Sequence, residues 1–159
     1  KIGIVSDTHD NVLAALHSAF AGVDEILHAG DIVSVEALAE IETIAPVTAV
    51  RGNMDERALA DRLPEETLLE RDGIRIALVH GHRVGHASAD DLVARFDDLP
   101  PGERPDLVVW GHIHEPVSRL ENGVRYFNPG TAGGIGAPAT CGLLTTLAGR
   151  FTIQHIALN

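Results

Sequence analysis

Three two-residue turns constrain this chain more than any other feature. Asp72-Gly73 parts Thr67–Arg71 from Ile74–Val79, Asn122-Gly123 parts Pro116–Glu121 from Val124–Phe127, and Ala148-Gly149 parts Gly142–Leu147 from Arg150–Ile156. Such pairs suit tight hairpins, so these strands are expected to run antiparallel. The start of the chain reads differently. Ile2–Val5, Glu25–His28 and Val47–Val50 are short apolar runs of the buried-strand kind, and helical spacing follows the first two. Val12, Leu13, Leu16 and Phe20 share a helical face after Asp10, an expected N-cap. Val35, Leu38 and Ile41 share another after Ser34, ending before Pro46. Ser88 and Asp91 have capping-box spacing ahead of Leu92, Val93 and Phe96, and Pro100-Pro101 stops that helix before the strand Leu107–Trp110. A chain that begins in parallel crossovers and ends in hairpins leaves apolar faces open if it closes as one doubly wound sheet. Two mixed β-sheets packed together, with helices outside, cover them. The expectation is an α/β sandwich in a single domain over residues 1–159.

Charge and cysteine content then narrow the function classes. Twelve Lys and Arg against 23 Asp and Glu leave a formal charge of −11, which disfavours long nucleic acids and anionic membranes. No apolar run approaches the roughly 20 residues of a membrane span. Lys1-Ile2-Gly3-Ile4-Val5 meets Asp7 too early for a secretory leader, so a soluble, cytoplasmic protein is expected. Cys141 is the only cysteine, which removes disulfides within the chain and multi-cysteine zinc sites. Any metal is held by nitrogen and oxygen.

The residues after each buried strand carry the chemistry, because ligand crevices in open α/β sheets lie beyond the strand carboxyl ends. Five such ends read Asp7-Thr8-His9, Gly30-Asp31, Gly52-Asn53, His80-Gly81-His82 and Gly111-His112-Ile113-His114. Each alone is also what a cap, a turn or a hydrogen-bonded core histidine looks like. Five at one sheet edge require five unrelated accidents. Gly30, Gly52, Gly81 and Gly111 each adjoin one of these side chains, where a Cβ would hinder a sharp turn or a close approach. Asp7, His9, Asp31, Asn53, His80, His112 and His114 make seven candidate ligands, more than one four- or five-coordinate ion uses. Two ions use them all if one carboxylate bridges. Two divalent cations and two carboxylates leave the site at about +2, which selects an anion such as phosphate. Ions about 3.5–4 Å apart acidify a shared water and hold phosphoryl oxygens for in-line attack. The expected reaction is hydrolysis of a phosphate ester by a metal-bridging hydroxide.

These five segments, in this order, resemble those of the calcineurin-like metallophosphoesterases across essentially the whole chain. Asn128-Pro129-Gly130-Thr131 further resembles a loop of the small single-domain phosphodiesterases of bacteria and archaea. The resemblance implies a four-layer αββα sandwich. It also implies a first ion on Asp7, His9, Asp31 and His114 and a second on Asp31, Asn53, His80 and His112, with Asp31 bridging. Two divalent ions are therefore the expected cofactors. Manganese is the family-like choice, while nickel, iron, zinc and cobalt also suit imidazole, carboxylate and amide donors. The expected partner is a small phosphate-ester substrate, a diester foremost. Many members carry a histidine after the asparagine, assigned to the leaving group or the transferring phosphoryl; here Met54 stands there, followed by Asp55. A thioether does neither job. General acid help is worth about 10²–10⁴ in rate, so activated or aryl-like leaving groups are expected to react and alkyl ones poorly. Asn53 and His82, the latter two residues beyond His80, are the expected catalytic side chains.

Other features point less far. Asn11 and Arg51 flank ligand segments as alternative phosphate contacts, while His17, His28, His86 and His155 lie outside every motif. Gly134-x-Gly136 resembles part of a dinucleotide fingerprint, yet Pro138 follows and no helix opens. Cys141 has no activating motif around it and reads as a structural thiol. The competing class is a metal-binding protein-interaction scaffold with little or no catalysis, since a retromer subunit resembles this family and lacks part of the ligand set. All seven positions are filled here. Oligomeric state has no signature, and a homo-oligomer stays open.

Overall fold

The computed structural model describes residues 1–159. In chain order its elements are β1 (Ile2–Val5), α1 (Ala14–Ala19), β2 (Glu25–His28), α2 (Val35–Glu42), β3 (Val47–Ala49), α3 (Arg57–Ala60) and β4 (Glu66–Arg71). Then follow β5 (Ile74–Val79), α4 (Ala89–Asp97), β6 (Leu107–Val109), β7 (Pro116–Glu121), β8 (Val124–Pro129), β9 (Thr140–Leu147) and β10 (Arg150–Ala157). They form two five-stranded mixed sheets, ordered β10-β9-β1-β2-β3 and β4-β5-β6-β8-β7. The parallel strands β1-β2-β3 and β5-β6-β8 lie together, and antiparallel partners flank them. The three hairpins close at Arg71↔Ile74, Glu121↔Val124 and Leu147↔Arg150. Both residues of each turn have positive φ, from 48° at Asn122 to 82° at Gly123, as two-residue turns of this hand require.

Period-two alternation decides which side chains meet. Ile2, Ile4, Leu27, Ile74, Ile76, Leu78, Leu107, Val109 and Phe127 form the core between the sheets. The intervening residues face outward: Val5 and Ile26 pack with Leu16 and Phe20 of the α1 region, and Ala77, Val79, Val108 and Tyr126 with Leu92 and Phe96 of α4. The central strands β1 and β6 are thus buried on both faces, which explains their unbroken apolar runs. No helix is long and apolar enough to cross a membrane.

Local expectations differ from the structure at several places: Val12 and Leu13 precede α1, β3 and β6 end one residue early at Ala49 and Val109, and β8 runs on to Pro129. Asp10 does not cap α1, whose N-cap is Leu13 without a side-chain bond; its Oδ1 instead accepts from Ser34 N–H at 3.0 Å. The cause lies in the backbone, because Asp10 takes φ 59° and its N–H donates to Ile32, turning the residue toward α2. The four-residue α3 is too short to carry an apolar period that the sequence would reveal, although Leu59 is buried against Ile32 and Leu38. β9 begins at Thr140 rather than Gly142, its early residues pairing with the end of β10. Ser34 accepts from Ala37 N–H, and the Ser88–Asp91 capping box is present in both directions.

Candidate metal centre

The loops after β1 and β2 lie side by side. Asp7, His9 and Asp10 N–H groups donate in turn to the carbonyls of Gly30, Asp31 and Ile32, prolonging the β1–β2 pairing past the strands. The second sheet joins at the same edge, where Gly111 N–H donates to His80 O and His112 N–H to Asp7 Oδ2 at 3.0 Å. Five of the seven candidate ligands have positive φ: Asp7 at 53°, His9 at 47°, Asp31 at 55°, His112 at 71° and His114 at 59°. Non-glycine residues rarely adopt this conformation, and its concentration at one rim singles that rim out as the candidate site. Two glycines are required by close approach. A Cβ on Gly52 would meet the backbone nitrogen and carboxylate of Asp31, and one on Gly111 would meet Ser6 Oγ and the Asp7 carboxylate.

The side chains gather into two groups, Asp7–His9–His114 and Asp31–His80–His112, each with its donor atoms within 4.8 Å of one another. In the first, His9 Nε2 and His114 Nε2 face each other at 3.0 Å and lie 3.8 and 3.3 Å from Asp7 Oδ1. Asp7 Oδ1 is buried and has no well-aligned hydrogen-bond partner. In the second, His80 Nε2 lies 3.4 Å from Asp31 Oδ2 and 3.2 Å from Asn53 Oδ1. Tautomers are set from behind: His80 Nδ1 donates to Ala29 O at 2.7 Å and His114 Nδ1 to Ile135 O at 2.8 Å, which directs each Nε2 into the site. Converging imidazole and carboxylate donors around an unpartnered buried oxygen fit divalent cations.

The electrostatics divide the histidines. Contact with Asp7 raises the His114 pKa against burial. Burial opposes protonation of His80, but the Asp31 contact and the field of Asp7 outweigh it and leave the pKa raised. Burial also works to raise Asp31, yet the His80 contact and Met54 N–H, 2.8 Å from Oδ1, hold it below the usual carboxylate range. His112 is lowered by burial and by His80. His82 is lowered by burial and by the charges of His80, Arg83 and His112; its ring lies 5.4 Å from that of His80, and its buried Nδ1 has no partner.

Asn53 sits at the exposed rim, and Met54 beside it is 57% exposed. Asn11 is engaged elsewhere, donating to Gly133 O at 2.8 Å, and Arg51 is tied to Glu65. The Gly130–Gly136 stretch, whose glycine spacing resembles part of a dinucleotide fingerprint, instead supports the first donor group. Thr131 Oγ1 and Gly133 N–H both donate to Asp7 O, and Ile135 supplies the carbonyl behind His114. A glycine-rich loop with no helix after it was the available signal.

A two-sheet α/β sandwich with imidazole and carboxylate groups gathered at the carboxyl ends of its parallel strands defines a class of metal-centre proteins. Within that class, the chain belongs to the calcineurin-like phosphoesterase superfamily, whose domain matches residues 1–149. A probable metallophosphoesterase of Methanothermobacter thermautotrophicus is 37% identical over 135 residues, covering 82% of this chain and 76% of that protein. A phosphodiesterase of Methanocaldococcus jannaschii is 33% identical over 166 residues, covering 92% and 93%. Among solved structures, an archaeal phosphodiesterase superposes with TM-score 0.77 at 26% identity over 98% of this chain and 99% of that one. Vps29 of Chaetomium thermophilum shares the fold, with TM-score 0.81 at 17% identity over 98% and 96%.

Proposed function

We propose that the chain is a dinuclear metal-dependent phosphodiesterase acting on small phosphate esters. The observation that carries this reading is the pair of donor groups at one rim, with Asp7 Oδ1 buried between two imidazoles and unpartnered. Relatives named phosphodiesterase support the diester preference. Asp7, His9 and His114 would hold one ion and Asn53, His80 and His112 the other, with Asp31 shared. Bound there, two divalent ions supply Lewis-acid charge at the phosphoryl group and the acidity that makes water a nucleophile near neutral pH. Manganese is the proposed metal.

The chain's own groups do the positioning. Asn53 turns its amide oxygen toward His80, which leaves its NH₂ at the exposed rim to donate to a phosphoryl oxygen. His82, held neutral near pH 7 by its lowered pKa, offers the departing ester oxygen a hydrogen bond rather than a full proton. Met54 contributes no proton. As hydroxide oxygen, formed when water gives up its proton to solvent, bonds to phosphorus and the ester P–O bond breaks, the leaving oxygen departs as its anion, so acidic alcohols such as phenols are favoured.

The test is turnover of bis(p-nitrophenyl) phosphate and p-nitrophenyl phosphate by metal-stripped protein, each divalent ion being restored in turn. Metal-dependent diester hydrolysis is expected, with Asp31→Ala and Asn53→Ala reducing it, the former by about 10³-fold or more because several kcal/mol of charge stabilisation is lost. Rates across aryl and alkyl diesters should fall steeply as leaving-group pKa rises; a flat dependence refutes the missing-acid argument. Met54 and Ile135, exposed beside the donors, favour a second reading as a docking face. No turnover with any metal, despite two ions bound per chain, would select it.

A further inference from the structure

Two polar side chains outside both donor groups tie the metal-bearing loops together. His28, the last residue of β2, is fully buried, although Ile26 on the same face of the strand is an ordinary apolar core residue. A polar ring in such a place is costly unless its nitrogens are bonded. Both are. Gly30 N–H donates to Nδ1 at 3.1 Å, which puts the ring hydrogen on Nε2, and Nε2 faces Thr8 Oγ1 at 3.2 Å. Burial pushes its pKa down to about 4 against the fields of Asp55 and Asp7, so the ring stays neutral at pH 7. Thr8 lies between Asp7 and His9, and Gly30 precedes Asp31.

Asp55 repeats the arrangement one loop further on. Its Oδ1 accepts from Val33 N–H at 2.8 Å and its Oδ2 from Gly52 N–H at 2.6 Å. The residue two after Asp31 is thereby joined to the residue before Asn53. Between the His28 and Asp55 anchors runs Gly30–Val33, in which Gly30, Asp31 and Val33 have φ of 94°, 55° and 87°. Positive φ at a β-branched valine is unusual, and such a path persists only where its surroundings over-determine it.

We propose that His28 and Asp55 are positioning residues of the metal centre, holding Gly30–Val33 in its left-handed path so that the Asp31 carboxylate is set between the two donor groups before any ion binds. The inference rests on the dinuclear reading and not on catalysis. Asp31 is the only carboxylate of the Asp31–His80–His112 group, so that group's ion depends most on the clamp. If the segment is loosened, Asp31 turns toward one ion and the other is lost.

The test is calorimetric titration of metal-stripped protein with Mn²⁺, comparing wild type with Asp55→Asn, which keeps one acceptor, and Thr8→Val, which removes the hydroxyl facing His28. Ser88→Ala, which breaks the distant α4 cap, controls for lost stability. One ion is expected to bind as in wild type and the second about 10–100-fold more weakly in both loop variants, with no such change in Ser88→Ala. Any turnover lost should return when Mn²⁺ is raised; because bound metal also stabilises the folded state, the Ser88→Ala control separates this rescue from general destabilisation. Should Asp55→Asn not fold, Thr8→Val and His28→Asn, whose amide oxygen replaces Nδ1 toward Gly30, decide. His28→Asn should then retain more second-ion affinity than His28→Leu, which offers Gly30 N–H no acceptor. Wild-type affinity at both sites in the folded loop variants, or a loss matched by Ser88→Ala, overturns the proposal. Ion affinity is read directly, so absence of turnover would defeat the phosphodiesterase reading while leaving this result standing.

Discussion

The two donor groups share a rim but are built differently. Asp7, His9 and His114 come from two loops, after β1 and β6; the Asp7 side chain is fully buried, while those of His9 and His114 are 14% and 25% exposed. Asp31, Asn53, His80 and His112 come from four loops, after β2, β3, β5 and β6, and His80 is fully buried. Behind the first group stands one continuous stretch, Thr131 to Ile135, bonded to Asp7 O and His114. Behind the second stand contacts made across the sheets, chiefly His80 Nδ1–H to Ala29 O. A group supported by one stretch tolerates local change. A group assembled from four loops fails when any one of them moves.

The largest test of that contrast is a pair of glycine substitutions. Gly52→Ala places a Cβ against the Asp31 backbone nitrogen, which has no room to give, whereas Gly111→Ala meets Ser6 Oγ and the Asp7 carboxylate. Overpacking costs about 1–3 kcal/mol, or about 5–150-fold in an affinity. Gly52→Ala should chiefly weaken the ion of the four-loop group and Gly111→Ala the other, as seen by metal titration of each protein. Equal losses of both ions in both variants would abolish the distinction.

A subtler contrast lies in titration. In metal-stripped protein, His114 should titrate above 6.5 and His112 below it, as histidine NMR resonances followed across pH will show. The signs for stability are opposite. His114, with its folded pKa raised, contributes stability below pH 6.5 that is lost as pH rises through the folded value. His112, with its folded pKa depressed, contributes stability above pH 6.5 that is lost as pH falls through the folded value. Midpoints on the same side of 6.5 would contradict this assignment.

The smallest effect is expected away from both groups. Arg71 bonds Glu25 at 2.7 Å and, against burial, keeps the Glu25 pKa below the ordinary carboxylate value. Arg71→Gln should lower stability by less than about 1 kcal/mol, the usual worth of a part-exposed pair, and leave both ion affinities unchanged. Denaturant midpoints should converge with wild type as pH falls through the folded Glu25 pKa, where the pair is lost in both.

Much of this was legible in order along the chain. Asp72-Gly73, Asn122-Gly123 and Ala148-Gly149 each specify a local φ pattern, and the hairpins stand where those residues put them. The Ser88–Asp91 box is equally local. Asp10 misled because its neighbours resemble a helix start, while its side chain answers to Ser34, 24 residues away. His28 looked uninformative for the same reason. Its partners, Thr8 and Gly30, identify it only when the β1 and β2 loops are adjacent.

The sequence by itself determined the alternation of buried strands, the turns between them and the chemical inventory at the strand ends, because each depends on neighbours a few residues apart. Only the tertiary structure decided which histidine shares a carboxylate with which, which nitrogen of each ring faces inward, and which backbone segments are held in left-handed conformations. Those properties arise where chain segments as distant as Asp7 and His112 touch. Burial and charge there are set by contacts across two sheets rather than along one chain.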